Sequence, residues 1–165
     1  MLIIFGGLPG VGKSVIAREL ARRLAATYLR IDCIEQAIRD SAVLSEVNDA
    51  GYRVAYVLAE ENLLLGRTVI ADSVNPLSIT RNAWLNVAKR TGAQAVEVEI
   101  KCSDAGEHRR RVDSRAADIP GFRLPSWEEV VSREYDPWDR PHLIVDTATS
   151  TVEESVDKIR RALQK

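Results

Sequence analysis

The sequence predicts a single α/β domain built on a five-stranded parallel sheet, and three observations carry that expectation. Apolar runs alternate with amphipathic stretches along the whole chain, the pattern of successive strand–helix–strand units around a parallel sheet. Asp32, Asp72 and Asp146 close three of the apolar runs, which puts charge at the one edge of such a sheet where all strands end. The length of 165 residues is that of one domain, enough to bury roughly two thirds of the unfolded surface without disulfides.

Leu2 to Phe5 reads as a short buried strand, cut off by Gly6-Gly7. Ser14 to Ala26 reads as a helix, because Ile16, Leu20 and Leu24 recur at helical spacing while Arg18, Glu19, Arg22 and Arg23 turn outward. Thr27 to Ile31 is the second strand, ending at Asp32. Two helices follow, a short one near Ile34 to Arg39 and a long one from about Tyr52 to Leu65. Gly66-Arg67 punctuates, and Thr68 to Ala71 is a buried strand ending in Asp72. Pro76 suits the N-terminal region of a helix that runs to about Arg90.

From Ala95 to Lys101, Val96, Val98 and Ile100 alternate with Glu97, Glu99 and Lys101, and this period of two predicts a strand with one wet face near a sheet edge. The next helix holds His108-Arg109-Arg110-Arg111. A glycine- and proline-bearing loop, Asp118 to Pro125, leads into a short helix near Glu128 to Arg133. Leu143 to Val145 is the fifth strand, ending in Asp146, and Val152 to Leu163 is the closing helix. No repeat, low-complexity tract or linker interrupts the pattern, so residues 1–165 read as one domain.

Composition narrows the class. Hydrophobic residues are 45% and charged residues 28%, close to the globular average. Lys plus Arg is 23 against 24 Asp plus Glu, a net charge of −1 that argues against bulk attraction to nucleic acid or anionic membrane and leaves a local basic patch open. Cys33 and Cys102 are too few and too scattered for a disulfide framework or a zinc site. No apolar run approaches the ~18 residues of a membrane span, and the N-terminal apolar run lacks a preceding basic segment. The expectation is a soluble cytoplasmic protein with no membrane partner.

Gly7-Leu8-Pro9-Gly10-Val11-Gly12-Lys13-Ser14 matches G-x-x-x-x-G-K-[ST] at every fixed position, with a strand before it and a helix after it. The pattern arises by chance in roughly one chain of this length in a hundred, and the flanking elements lower that further. Such a loop turns its amides inward on a phosphate at the positive end of the next helix. The nucleotide-binding segment is Gly7 through Val15; Lys13 reaches the β- and γ-phosphates and the Ser14 hydroxyl binds Mg²⁺. A guanine-reading Asn/Thr-Lys-x-Asp is missing, and Asp118-Ile119-Pro120-Gly121 satisfies the D-x-x-G of GTP switches only by coincidence.

Asp72 ends an apolar run in the form of a magnesium-holding strand; the alternative is a helix cap. Asp32, where a phosphotransferase brings in its acceptor, suits acceptance of a hydroxyl proton, or again a cap. With Asp146 they can point toward one γ-phosphate. Arg39, one to two helical turns beyond Asp32, would steady an anionic acceptor or stand in solvent. Arg111 and Arg115, four apart, would share a helical face and bring guanidinium groups to a transferring phosphoryl; a basic surface helix is the plainer reading. Trp84 reads as core or semi-buried packing, and Trp127 and Trp138 as hinge packing, with lining of an acceptor pocket as the alternative. His108 and His142 receive no catalytic or metal role.

Together the loop, Asp32, the strand end Asp72-Ser73-Val74-Asn75-Pro76 and the arginine-rich helix resemble the zeta-toxin-like and chloramphenicol phosphotransferase-like ATP-binding proteins, with gluconate and shikimate kinases as more distant relatives. So does the tail Arg133-Glu134-Tyr135-Asp136-Pro137-Trp138, followed by Leu143 to Thr147. The resemblance implies a three-layer P-loop fold of nucleoside-kinase type, strand order 2-3-1-4-5, ATP as donor and Mg²⁺ as cofactor. It implies Asp32 as base and acceptor-binding residue; on the reading of the residues themselves Arg39 and Asp72 join it on the acceptor side, and Ser14 and Asp72 hold the metal. Arg111 and Arg115 would be lid arginines within about 111–133, Thr147 would belong to the loop against adenine, and residues 34–65 would form the acceptor-binding cap. Shikimate kinases carry a second Asp two residues after the first, where this chain has Ile34, and a glycine run where it has Asp72-Ser73.

The function expected is an ATP-dependent phosphotransferase acting on the hydroxyl of a small molecule. A 5′-hydroxyl polynucleotide kinase and a non-catalytic ATP-sensing module are the alternatives.

Overall fold

The structure, a computed structural model, describes residues 1–41 and 47–164. Its strands are β1 (Leu2–Gly6), β2 (Thr27–Arg30), β3 (Val69–Asp72), β4 (Ala95–Lys101) and β5 (Leu143–Asp146), all parallel and in the order β2-β3-β1-β4-β5. The helices are α1 (Lys13–Leu24), α2 (Ile31–Asp40), α3 (Ala50–Leu64), α4 (Ser78–Thr91), α5 (Ala105–Ser114), α6 (Trp127–Val131) and α7 (Val152–Ala162). The expected fold class and strand order are those observed. Among the described residues no helix is long and apolar enough to cross a membrane.

The pleat of β1 divides the core. Ile3 and Phe5 face α1 and α7, packing with Ile16, Leu20, Val156 and Ile159, while Leu2 and Ile4 face α3 and α4, packing with Ala55, Ala59, Trp84 and Val87. Covered on both faces, β1 is apolar throughout, as a central parallel strand must be. Trp84 is core, as its spacing indicates. Side chains close the starts of three helices: Asp104 accepts from the Glu107 amide, and Ser126–Glu129 and Thr151–Glu154 form capping boxes.

Several boundaries depart from the sequence reading for identifiable reasons. Strand β2 stops at Arg30 and α2 starts directly with Ile31, so Asp32 lies in a first helical turn and not at a strand end. Pro76 precedes α4. The amide of Ser78 at that helix start donates to the Asp136 carboxylate at 2.7 Å, a cap supplied from 58 residues downstream.

Strand β4 lies between β1 and β5 and has no wet face; Glu97 and Glu99 are buried. The alternation reports two dissimilar faces, and the acidic one is covered by a strap of chain over residues 135–142. Arg140 makes paired hydrogen bonds to Glu97 at 2.7 and 3.2 Å, and His142 Nε2 meets Glu99 at 3.0 Å. Without these partners the two carboxylates would carry the full cost of desolvation.

Arg81 fastens the strap. Fully buried, it donates to the carbonyls of Asn75, Pro76, Asp136 and Pro137, and its guanidinium lies 4.4 Å from the Trp138 ring centre. That ring in turn covers Gly6, where the chain leaves β1. Arg81→Met keeps the aliphatic packing but leaves those carbonyls unpaired. It is expected to lower stability by about 3 kcal/mol, read as a fall in the urea midpoint at unchanged m-value.

Candidate functional site

The C-terminal ends of β1, β2 and β3 open into a cleft of about 880 Å³. The β1–α1 loop forms its floor. Gly10 and Gly12 take φ of +86° and +96°, a left-handed backbone that bulkier residues resist, and this curls the loop ahead of the α1 N-terminus. Lys13 opens α1 with its ammonium directed back over the loop, donating to the Leu8 carbonyl at 2.9 Å. Buried at 8% exposure, it has its pKa lowered to about 8 by desolvation, against the attraction of Asp72 and Asp32.

Pro9, Gly10, Gly12, Lys13, Ser14 and Val15 line the cleft, whereas Gly7, Leu8 and Val11 support it from behind. The Gly7 amide donates to the Val74 carbonyl at 3.0 Å, and Val11 is core. Thr147 does not line the cleft; its hydroxyl lies 2.9 Å from the Val11 carbonyl and 3.0 Å from that of Lys101. His108, which the sequence reading left without a role, is buried, and its Nε2 donates to the Pro9 carbonyl at 2.8 Å with Trp127 edge-on to its ring. A lone histidine gives no such signal in sequence, because its partner is a backbone carbonyl 99 residues away.

Asp72, at the end of β3, is buried and accepts a 2.6 Å hydrogen bond from the Tyr28 hydroxyl through one carboxylate oxygen. Asp32 faces the same space from α2. Burial pushes its pKa up, and the attraction of Lys13 opposes that. One turn on, Glu35 also lines the cleft, raised by burial and then by repulsion from Asp32. Glu35 was not singled out in the sequence; the helix starting at Ile31 is what puts position 35 beside 32. Its stem lies so close to Gly51 of α3 that a Cβ there would stand 2.3 Å from the Glu35 Cγ. Asp146 departs from expectation. Its carboxylate accepts from the Ser103 and Ala148 amides, both at 3.0 Å, and ties two loops together outside the cleft.

The arginines divide sharply. Arg109 pairs with Asp113 and Arg110 with Glu107 on the surface of α5. Arg111 lines the cleft but is fastened, donating to Glu107 at 2.7 Å and to the Thr147 hydroxyl and carbonyl at 2.8 and 3.0 Å. Arg115 lies past the last turn of α5, so helical spacing does not align it with Arg111. It lines the cleft with its Nε buried and unpartnered, and burial lowers its pKa. Arg39 reaches Glu35 at 3.4 Å.

The reading gave no site role to Arg30, or to Arg133, which it used only as part of the resembling tail. Arg30 grips Asp118 with both Nη atoms, at 2.7 and 3.0 Å, and Arg18 binds the same carboxylate, so the loop after α5 is tied to α1 and β2. Asp118 is thus structural, and its D-x-x-G pattern is incidental. Arg133 lines the cleft and makes no hydrogen bond or ion pair with a described residue. Of the 34–65 cap, residues 42–46 lie outside the described residues.

A backbone cradle, a lysine and a buried carboxylate suit a magnesium–triphosphate. The oxygen of Asp72 not engaged by Tyr28 and the hydroxyl of Ser14 are hard donors of the kind that Mg²⁺ takes.

Comparisons with known proteins point the same way. A family model described as an AAA domain (AAA_33) matches residues 2–129. The chain is 29% identical over 148 residues to a shikimate kinase of Corynebacterium glutamicum, covering 79% of this chain and 83% of that one. It is 26% identical over 175 residues to an adenylyl-sulfate kinase of Halothermothrix orenii, covering 97% and 87%. The structure of the Mycobacterium tuberculosis APS kinase in complex with AMPPNP and APS superposes with a TM-score of 0.72 at 21% identity, covering 99% of this chain and 97% of that one, and so shares its fold.

Lys13 has a pH consequence. Its folded pKa of about 8 is below the roughly 10.4 of an unfolded lysine, so the unfolded chain holds more protons between those values and stability rises with pH across that window. The cost of burying the ammonium is fully present below pH 8. Relative to Lys13→Met, the nucleotide-free protein should gain on the order of 3 kcal/mol between pH 8 and 10.4, measured by urea unfolding at each pH.

Proposed function

The chain belongs to the AAA-domain family matched over residues 2–129, and we propose that it transfers the γ-phosphate of ATP to a hydroxyl of a small-molecule acceptor. It is a P-loop kinase, with ATP as donor and Mg²⁺ as cofactor. The observation that carries the reading is that Lys13, Asp32 and Asp72, from three separate elements, lie within one another's fields at a single cleft.

In the proposed reaction the loop amides and Lys13 hold the β- and γ-phosphates, and Ser14 and Asp72 hold Mg²⁺, which when bound neutralises phosphate charge. Asp32 orients the acceptor hydroxyl. As its oxygen bonds to the γ-phosphorus and the bond to the β-phosphate oxygen breaks, Asp32 takes the proton and ADP leaves. The raised pKa of Asp32 makes it a better proton acceptor than an exposed carboxylate. Arg115, with an unpartnered Nε, faces the equatorial oxygens. Arg111 acts differently from Arg115, bracing Thr147 from the rim of the cleft.

Residues 1–165 work in this reading as one domain, with α2 and α3 as the acceptor cap and about 111–133 as the lid. Within the family, the zeta-toxin-like and chloramphenicol phosphotransferase-like group suits the loop, Asp32, the Asp72-Ser73 strand end and the Arg133–Trp138 tail. Arg39 and Glu35 complete the acceptor side.

An acceptor-dependent ADP-release assay tests the reaction. Lys13→Ala should reduce turnover at least ~100-fold. Asp32→Asn should lower kcat by ~100-fold while leaving ATP affinity within about twofold, because it removes the proton acceptor and not the phosphate grip. Gly51→Ala should displace Glu35 and raise the acceptor KM several-fold at unchanged ATP KM, a split that overall destabilisation would not produce.

A further inference from the structure

The phosphate loop has an outer side as well as an inner one. A loop that turns its amides toward a phosphate turns carbonyls away from it, and a buried carbonyl needs a donor. Among the described residues, side chains reach these carbonyls at three places: Lys13 at Leu8 at 2.9 Å, Thr147 at Val11 at 2.9 Å, and His108 at Pro9 at 2.8 Å. Thr147 serves the foot of the loop, next to α1. Leu8 and Pro9 form its crest, and their consecutive carbonyls are held by different elements, one from α1 and the other from α5.

His108 and Val112 lie one helical turn apart on α5, and both are buried. They fit the crest closely, since a Cβ added at Gly10 would stand 2.5 Å from Val112 Cγ2 and 3.5 Å from His108 Nε2. A carbonyl only accepts, so His108 Nε2 carries the hydrogen. The ring is also fixed by Trp127, the first residue of α6, whose ring lies edge-on to it with 5.1 Å between centres. Neither His108 nor Trp127 lines the cleft. Helices α5 and α6 bracket the cleft-lining residues Arg115 and 121–125, so this pair of rings joins both ends of that segment to the loop crest.

Resting on the kinase reading above, we propose that His108 is a positioning residue for the nucleotide: it holds the crest of the phosphate loop in its binding curl, and Trp127 ties that hold to the segment between α5 and α6. Lys13 is the other side-chain donor at the crest, and a triphosphate competes for its ammonium. The Pro9 carbonyl keeps its donor when the nucleotide enters, because that donor comes from outside the cleft. The same contact seats α5, and with it Arg111, against the loop.

The test is calorimetric titration of AMP-PNP, a non-hydrolysable ATP analogue, with Mg²⁺ into wild type and four variants, the urea midpoint of each being measured alongside. His108→Gln keeps an N–H at nearly the reach of Nε2, His108→Asn carries the same amide one carbon shorter, and His108→Leu carries no donor. His108→Asn and His108→Leu should each weaken the analogue ~10-fold, with His108→Gln within about threefold of wild type. Affinity should not follow the urea midpoint, because leucine suits a buried site beside an indole better than glutamine does. Gln and Asn share their chemistry and differ in reach, so their comparison stands even where the leucine variant does not fold. Trp127→Ala should weaken the analogue several-fold although its side chain is outside the cleft. Wild-type affinity in His108→Leu or His108→Asn, or equal losses in His108→Gln and His108→Asn, overturns the proposal, and wild-type affinity in Trp127→Ala overturns the tie to α6. Failure of the wild type to bind AMP-PNP with Mg²⁺ would instead overturn the kinase reading beneath it.

Discussion

A lysine ammonium taken out of water at the start of α1 is the constraint around which this molecule is arranged. Left alone it would lose its proton or unfold the loop. Three things hold it: the Leu8 carbonyl, and the fields of Asp72 and Asp32. Each comes from a different element, so the lysine requires that the β1 loop, the end of β3 and the first turn of α2 meet at one point. The order β2-β3-β1 brings this about, because the strands that end in or lead into those residues are adjacent and all end on the same side.

Around that point the protein uses arginines for two unlike purposes. Arg81 and Arg140 are internal fasteners: one satisfies a ring of carbonyls and the other a buried carboxylate, and together they bind the 135–142 strap to the sheet. Arg30 and Arg18 meet at Asp118 and tie down the loop that follows α5. Arg115 and Arg133 are under-partnered and face the cleft. A planar guanidinium with donors left unpaired beside a cleft suits an anion. The same residue type thus builds the walls and equips the interior, and only its acceptors distinguish the two uses.

The strap and the lid are one continuous piece of chain. Arg115, residues 121–125 and Arg133 line the cleft, and the segment that follows is pinned by Arg81, by the Asp136 cap on α4 and by the stacked Trp138 and His142 rings. Arg133 sits between a segment that lines the cleft and one that cannot move without exposing Glu97 and Glu99. This gives the cleft a fixed anchor on its far side, and the ion pairs at Asp118 supply a second attachment.

The amino-acid sequence by itself determined the α/β class, the number of strands, the phosphate loop with its lysine, and Asp72 at a strand end. These rest on short-range rules: the period of a buried strand, the glycines a curled loop demands, the helix start that follows. The strand order came from family resemblance and is what the structure shows. What tertiary structure alone decided depends on partners far away in the chain. Glu97 and Glu99 look solvated until Arg140 and His142 arrive; Asp146 looks aimed at a phosphate until its carboxylate is found on two loop amides. Glu35 becomes a cleft residue only because α2 begins at Ile31, and Arg133 lines the cleft with no hydrogen bond or ion pair to a described residue. A local pattern says which groups need a partner, and only the folded chain says which of them have one.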